Sequence, residues 1–344
     1  LLLAAVCADA VIEFKYAFLV DEKDVNGYGY SFGCNSPGCT VYTTKMSSAE
    51  VGLYKGDEQL ATLNTIYKKD SNGFLVGYHL AGGSNYKLKK TTTGEMTTLV
   101  KIYIVYDSVG SGAVVDFDSV TTDIDINASG KKTITVLNIY NSGVTFTNYK
   151  GTTSPKIYAA GFDAVDTTCK PIYTASSVDN AAKSKIGIVS ALTTIDFGST
   201  DASNRYHVAK YVATQNTVSI GQSAIVMSSG YTGCLVQKNY NDFAMATYDF
   251  KAGSESTKAT INFGDLGISQ GHELTLKVTG QSDKKISGYS DSQSYSYVAT
   301  NMDVSIVWDQ KDKSDTFFAQ IDFTNGVSHV FGLSTLLAIF FALI

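Results

Sequence analysis

Residues 273–279 read ELTLKVT, and residues 302–308 read MDVSIVW. Apolar and polar side chains alternate in both stretches, as in a β-strand that buries one face and exposes the other. The same period of two recurs in KATINF (258–263) and across residues 317–323. Trp308 falls on the apolar phase, so we predict that it is a core residue of a late strand. The second half of the chain is therefore predicted to form short antiparallel strands.

The first half of the chain carries the same signal in several short stretches bounded by turn residues. These stretches are residues 99–107, 114–117, 124–127, 132–140 and 144–149. Strands at this spacing indicate antiparallel sandwiches rather than a parallel sheet with crossover helices. Asn141-Ser142-Gly143 separates the last two stretches and is predicted to be a short hairpin connection. Helices are expected to be few, with residues 180–191 the best candidate.

Composition supports an all-β protein. The 344 residues include 22 tyrosines and only 3 prolines, and threonine and other β-branched residues fit a half-buried pleated sheet. This length exceeds what one hydrophobic core usually organises. We predict two antiparallel β-sandwich domains, residues 11–152 and 153–313, separated at KGTTSPK (150–156), where small polar residues and a proline interrupt the strand pattern.

The charge balance excludes nucleic acid as a partner. The formal net charge is −5, and Arg205 is the single arginine of the chain. No guanidinium cluster is therefore present to bind a phosphate backbone.

Both ends of the sequence are apolar. Residues 1–10 resemble the second half of a secretory signal peptide, with the small residues Ala8 and Ala10 at its cleavage site. The apolar run 330–344 would span about 22 Å as a helix, which is short for a hydrocarbon layer of about 30 Å. Residues 314–344 are predicted to be a glycosylphosphatidylinositol (GPI) attachment signal. An uncleaved membrane helix and a buried last strand are the alternatives.

The GPI attachment residue is predicted to be Asn325 or Ser314. Asn325 is followed by Gly326 and the bulkier Val327, whereas Ser314 is followed by two small residues but leaves a long tail. The predicted partner is then the membrane, through a lipid anchor. The protein would lie on the extracellular face of the plasma membrane, or be secreted.

Cysteine usage fits an oxidising compartment. Removal of Cys7 with the signal leaves four cysteines, an even number with three ways to pair. Cys34 and Cys39 enclose Asn35-Ser36-Pro37-Gly38, whose Pro-Gly favours a tight reversal and so a local disulfide. Cys169 would then pair with Cys234 across a long loop.

The chain contains one N-glycosylation sequon, Asn127-Ala128-Ser129. In a secreted protein, modification of Asn127 is expected. A glycan there would hold that edge of the sheet in solvent.

Acidic residues crowd a short region of the first half: Asp107, Asp116, Asp118, Asp123 and Asp125. Several carboxylates converging on one point would suit a hard cation, and calcium is the natural choice outside the cell. The alternative is an ordinary solvated strand face, because every second residue of a strand faces water. No other cofactor is indicated.

Tyrosines stand in two glycine- and serine-rich settings. Tyr28 and Tyr30 lie in NGYGYSFG, and Tyr289, Tyr295 and Tyr297 lie in SGYSDSQSYSY. Tyrosine with serine and glycine is typical of recognition loops that contact glycans or proteins. The alternative is that these tyrosines simply occupy strand faces and edges.

Residues 267–271 match the G-x-S-x-G pattern of serine hydrolases, and His272 follows directly. The nucleophile elbow of those enzymes needs a strand before Ser269 and a helix after it, whereas residues 273–279 alternate like another strand. A glycine-bounded hairpin turn explains the same residues without chemistry. We therefore predict a protein that is not an enzyme.

Strands such as KIYIVYDS (101–108) and TVLNIYNSGVT (135–145), together with the features above, resemble the secreted or GPI-anchored CUB-like proteins of nematodes. The resemblance covers residues 11–315. It implies jelly-roll or CUB-like sandwiches, recognition at an epithelial surface in host defence, and a calcium cluster to which Asp107, Asp116 and Asp118 are loosely comparable. The spacing of the cysteines departs from that of standard CUB domains.

The function predicted from the sequence is thus extracellular binding or adhesion without catalysis, with a glycan or protein as ligand. A structural surface-coat glycoprotein is the first alternative. A surface serine hydrolase using Ser269 and His272 is the second.

Overall fold

The computed structural model describes residues 29–44, 51–92, 102–106, 112–118, 123–138, 143–159, 170–188, 190, 192–211, 216–228, 231, 233, 247–308 and 315–326. In this part of the chain there are 25 strands and two short helices. Most strand pairs are antiparallel, although β8, β14 and β17, defined below, each have one parallel neighbour. The predicted all-β class with few helices is confirmed.

The chain forms two compact units that alternate along the sequence. The first unit comprises residues 1–182, 187–211 and 229–243, and the second comprises residues 183–186, 212–228 and 244–344. The predicted break at residues 150–156 lies inside the first unit. The domain limits 11–152 and 153–313 stay a prediction.

The first unit begins with two antiparallel sheets that share one core. Their strand orders are β1-β6-β3-β4 and β5-β2-β7. Buried side chains of both sheets, such as Val41 and Leu53, belong to one apolar cluster with Leu63, so the sheets pack as a sandwich. The elements are β1 (Tyr30–Cys34), β2 (Gly38–Thr43), β3 (Val51–Lys55), β4 (Glu58–Thr62), α1 (Leu63–Ile66), β5 (Tyr78–Ala81), β6 (Ser84–Lys90) and β7 (Ile102–Tyr106).

The next part of the chain adds further strands to the first unit, ordered β13-β12-β15-β10-β8 in one sheet and β11-β16-β9 in another. These elements are β8 (Ala113–Phe117), β9 (Ile124–Asn127), β10 (Thr133–Asn138), β11 (Val144–Lys150), β12 (Lys156–Tyr158), β13 (Tyr173–Thr174), α2 (Val178–Lys183), β14 (Lys185–Ile188), β15 (Leu192–Asp196) and β16 (Arg205–Lys210).

The second unit contains two sheets whose apolar faces meet. Trp308 is 2% exposed and packs edge-on against Phe317 at 5.2 Å between ring centroids, while Tyr248 packs against the same ring at 5.8 Å. One sheet is ordered β17-β19-β24-β21-β22, and the other contains β23-β20-β25-β18 followed by the start of β14. The elements are β17 (Asn216–Val218), β18 (Ser223–Met227), β19 (Thr247–Ala252), β20 (Ser256–Ile268), β21 (Leu274–Val278), β22 (Lys284–Ile286), β23 (Gly288–Thr300), β24 (Asp303–Trp308) and β25 (Thr316–Asn325).

Strand β20 is the central strand of its sheet in the second unit. It has 13 residues, where the sequence predicted a strand over 258–263 alone. One edge pairs with β23 from Ser256↔Thr300 to Ile268↔Gly288. The other edge pairs with β25 from Thr257↔Asn325 onward, with one register shift after Gly264.

The predicted hairpin at residues 141–143 is wrong. Strand β10 pairs with β8 on one edge and with β15 on the other, so neither edge is open to β11. Strand β11 pairs with β16 instead. The chain therefore changes sheets at this point.

The predicted helix over residues 180–191 is also largely wrong. Helix α2 ends at Lys183, and β14 begins at Lys185. Lys185 and Ile186 pair with β18, and Ile186 and Ile188 are fully buried. Burial of β-branched side chains in a sheet outweighs the weak helical propensity of this stretch.

The predicted local disulfide is confirmed. Cys34 at the end of β1 is bonded to Cys39 in β2. The backbone N–H of Gly83 donates to the carbonyl of Cys34 at 2.7 Å, and that of Gly82 donates to the carbonyl of Pro37 at 3.2 Å. Cys169 and Cys234 lie outside the described residues, so their pairing stays a prediction.

A buried amide fixes one corner of the first unit. Asn204 is fully buried; its Oδ1 accepts from the backbone N–H of Thr152 at 3.0 Å and lies 3.0 Å from the hydroxyl of Tyr149. Its Nδ2 donates to the hydroxyl of Ser199 at 3.1 Å. Buried polar groups stabilise a fold only when they are paired in this way.

Replacement of Asn204 by alanine is expected to lower the free energy of unfolding by about 2 kcal/mol, because the hydroxyl of the buried Tyr149 and the N–H of Thr152 both lose this acceptor. Urea denaturation followed by circular dichroism measures the change. Thr200→Ala, at an exposed position nearby, is the control and should change stability little. Equal stability of the Asn204→Ala variant and the parent would contradict this assignment.

Candidate functional site

The G-x-S-x-G residues form a tight turn between β20 and β21. The backbone N–H of His272 donates to the carbonyl of Ser269 at 3.0 Å, and Gly271 has φ +84°, as the third position of a type II turn requires. A turn was predicted here and is confirmed. It is not a hairpin, because β20 and β21 belong to different sheets.

Asp315 is the buried group that holds this turn. Its side chain is fully buried; Oδ1 accepts from the backbone N–H of Ser269 at 2.9 Å, and Oδ2 contacts Nδ1 of His272. Burial raises the pKa of Asp315, but the hydrogen bonds from Ser269 and His272 outweigh it and bring the pKa below its usual value. The carboxylate is therefore stabilised in its charged form.

This arrangement differs from a catalytic triad. In a triad the imidazole stands between the serine hydroxyl and the carboxylate. Here the carboxylate of Asp315 stands between the other two groups, because the side chains of both Ser269 and His272 bind it. A strand follows the turn where the nucleophile elbow has a helix. The geometry shows that Asp315 caps the turn.

A row of polar side chains covers the outer face of β23, β20 and β25. Thr260 lies opposite Ser296 on one side and Asp322 on the other, and the hydroxyls of Thr260 and Ser296 are 3.1 Å apart. Two residues further along β20, Asn262 lies between Ser294 and Gln320. We call these six residues the hydroxyl–amide face.

Hydrogen bonds hold the side chains of the hydroxyl–amide face in place. The hydroxyl of Ser294 donates to Oδ1 of Asn262 at 2.7 Å. Nε2 of Gln320 donates to Oδ1 of Asp322 at 2.9 Å. Residues of the opposite phase, such as Ile261 and Ile321, are fully buried. The alternation of β20 and β25 therefore places this face in solvent.

The predicted tyrosine contacts lie on strands rather than in recognition loops. Tyr289 is 77% exposed, whereas the half-buried Tyr295 packs edge-on against Phe263 at 6.2 Å and donates its hydroxyl to Gln293 at 2.8 Å. Tyr297 is also half-buried in β23.

In the first unit, Tyr30 lies in β1 and stacks on Phe32 at 6.3 Å between ring centroids. Tyr28 lies outside the described residues. Among the predicted tyrosines that the structure describes, Tyr289 is thus the one with most of its ring in solvent.

The aspartates predicted to bind calcium are divided between two sheets. Asp116 in β8 is buried and forms an ion pair with Lys69 at 2.7 Å. Burial lowers the pKa of Lys69, but the hydrogen bond and charge of Asp116 outweigh it and raise the pKa. Asp118 follows β8, and Asp107 lies outside the described residues.

Asp123 and Asp125 flank the start of β9, where both approach His207 of β16. Oδ1 of Asp125 is 3.0 Å from Nδ1 of His207, and Oδ2 of Asp123 is 3.8 Å from Nε2. Arg205 lies 4.0 Å from Asp125. Across the described ranges, no group of three or more His, Cys, Asp or Glu side chains is placed to hold a metal ion. Asp116 instead pairs with Lys69, and Asp125 lies beside His207 and Arg205.

The predicted modification sites are placed in part. Asn127 ends β9 and is exposed, and Asn325 is exposed at the end of β25. Ser314 and the apolar run 330–344 lie outside the described residues. Neither described helix is long and apolar enough to cross a membrane.

Sequence reasoning missed Asp315 and the hydroxyl–amide face. Asp315 is 43 positions from His272, so no local pattern links them. The polar residues of this face alternate in the sequence with the apolar residues from which the strands were predicted. Their joint position depends on the register of β20 with its two neighbours.

The sequence was compared with known proteins. No protein-family model and no curated protein matches it. Among solved structures, one similar chain is an uncharacterized protein from Listeria monocytogenes EGD-e, crystallised in complex with alpha-D-glucose, beta-D-glucose, magnesium and calcium. The match has 9% identity and a TM-score of 0.20, covers 83% of this chain, and spans 29% of the length of that protein. A TM-score this low does not establish a shared fold.

Asp315→Asn is expected to lower the free energy of unfolding by about 2 kcal/mol at neutral pH, because a charge-assisted bond to His272 is lost. The folded-state pKa of Asp315 lies below the ordinary value of 3.8. The contribution of the carboxylate is therefore complete above that value and is lost as the pH falls through the folded-state pKa. The stability gap between parent and variant should close in that acidic range.

Urea denaturation at several pH values measures this gap. Asp283→Asn is the matched control, since Asp283 is exposed and 3.6 Å from Lys277, and it should change stability little. A gap for Asp315→Asn that grows on acidification would contradict the sign.

Proposed function

We propose that this chain is a non-enzymatic binding protein of the extracellular surface that recognises glycans through the hydroxyl–amide face. The observation that carries the proposal is the row of Thr, Ser, Asn, Gln and Asp side chains that lie side by side across three neighbouring strands. The function is argued from these side chains and not from the fold.

The chemistry of the hydroxyl–amide face suits a carbohydrate. Sugar hydroxyls both donate and accept hydrogen bonds, and side-chain amides, hydroxyls and a carboxylate offer both roles. The pairs Ser294–Asn262 and Gln320–Asp322 already hold one another. Less rotational freedom is therefore lost when a ligand binds.

Tyr289 supplies an apolar surface on the same strand as Ser294, five residues away. It lies opposite Gly267 in the β20–β23 pair, and its ring approaches within 3.8 Å of the place where a Cβ of Gly267 would stand. With 77% of the residue exposed, the ring is open to stack on the apolar face of a sugar.

Two other interpretations compete with this proposal. A surface-coat role would need the same polar exterior but no selective ligand. A serine hydrolase is disfavoured by the position of Asp315 between Ser269 and His272. We further propose attachment of the mature protein to the outer leaflet through a GPI anchor, on the basis of the apolar run 330–344.

Selective binding on a glycan array is expected for the parent protein, and Asn262→Ala combined with Tyr289→Ala is expected to weaken it at least tenfold. The two changes remove a central polar contact and the stacking ring. Asn85→Ala, at an exposed strand position of the first unit, is the control and should bind like the parent. Binding that is absent from the array, or unchanged by the double substitution, would favour the coat interpretation.

Anchoring is tested on cells that express the full chain. Phosphatidylinositol-specific phospholipase C is expected to release the protein into the medium, because a GPI anchor carries the bond that this enzyme cuts. A known GPI-anchored protein in the same cells is the positive control. Retention on the membrane while the control is released would show that the protein is held in another way.

A further inference from the structure

Strand β23 is a long strand at the end of its sheet. Its 13 residues run from Gly288 to Thr300, and β20 is its one strand partner within the described residues. Among the described residues, no strand pairs with the outer edge of β23, and an edge of this kind can accept a further strand.

The sequence of β23 lacks the devices that usually protect such an edge. Natural edge strands are kept short, or carry lysine, proline or a bulge. GYSDSQSYSYVAT contains neither lysine nor proline, and Asp291 is its one charged residue. The pairing with β20 keeps one register offset throughout, from Ser256↔Thr300 to Ile268↔Gly288.

Exposed apolar side chains are concentrated on the same strand. Large apolar residues are exposed at four places in the described part of the chain, and two of them, Tyr289 at 77% and Val298 at 52%, lie on β23. The other two, Val76 and Ile220, lie on neither β23 nor its partner β20. With a single charged residue and an exposed apolar side chain near each end, β23 resembles a contact surface more than a solvated margin.

We propose that β23 binds the β23 strand of a second copy of this chain, in antiparallel register, and so joins two sheets into one. A second copy supplies an edge of the same length that β20 has already ordered. An unstructured peptide would have to lose its conformational entropy to bind there.

The charge pattern of β23 also suits pairing with itself. An antiparallel pair related by a two-fold axis at Ser294 places Ser292 opposite Ser296 of the other copy, and Asp291 opposite Tyr297. Like charges therefore do not face each other. The pairing uses the strand edge and leaves the hydroxyl–amide face open, so this inference does not rest on the proposed function.

The test measures the protein mass of the full chain in a mild detergent, by size-exclusion chromatography with light scattering over a dilution series. The parent is expected to have twice the mass of one chain. Ser292→Lys/Ser296→Lys, which sets like charges opposite each other across the axis, is expected to have the mass of one chain, as is Ser292→Glu/Ser296→Glu. A mixture of the two variants is expected to recover the doubled mass, because opposite charges then meet.

Ser71→Lys/Asn72→Lys is the matched control, since it adds the same charge at an exposed turn of the first unit and should keep the doubled mass. The mixture also guards against a folding defect, because unfolded variants would not recombine into a dimer. A parent of single mass, a lysine variant that still doubles, a mixture that stays single, or a control that dissociates would overturn the proposal.

Discussion

The pairing of β20 with a strand on each edge is the constraint on which the second unit depends. A buried backbone N–H or carbonyl without a partner is costly, and β23 and β25 satisfy these groups along most of β20. The register also decides which side chains enter the core. A slip of one residue would bury Thr260 and Asn262 and expose Ile261 and Phe263. The core and the hydroxyl–amide face both follow from this one register.

Buried polar groups stabilise the places where the chain turns. Asp315 binds the turn after β20 through Ser269 and His272, and Asn204 binds the corner of the first unit through Thr152 and Tyr149. In each case one side chain satisfies groups that are distant in sequence. These contacts fix where strands end, whereas apolar alternation fixes which face of a strand is buried. Both are required because strands that change sheets leave backbone groups that no ladder can pair.

Local pattern predicted the strands well where both phases of the alternation were clear. Residues 124–127 were placed without error, and Trp308 is buried as its phase required. The local pattern gives a wrong prediction where strand pairing decides the structure. The predicted hairpin at 141–143 is wrong because β8 and β15 already pair with the two edges of β10. Because serine and glycine favour turns, the sequence around the tyrosines of β23 is compatible with a recognition loop as well as with a strand face. SQSYSY (292–297) nevertheless alternates with a period of two, and its pairing with one edge of β20 makes the segment a strand. Asp315 had no local signal at all.

The most direct test of this account is amide hydrogen exchange measured residue by residue across residues 256–300. The account predicts strong protection along the whole of β20 and protection of at least alternate amides in β23, since each second N–H of an edge strand points toward its neighbour. Rapid and uniform exchange over residues 288–300 would contradict it. That result would mean that the Ser/Tyr-rich segment is a loop, and that neither the hydroxyl–amide face nor the edge of β23 exists as described.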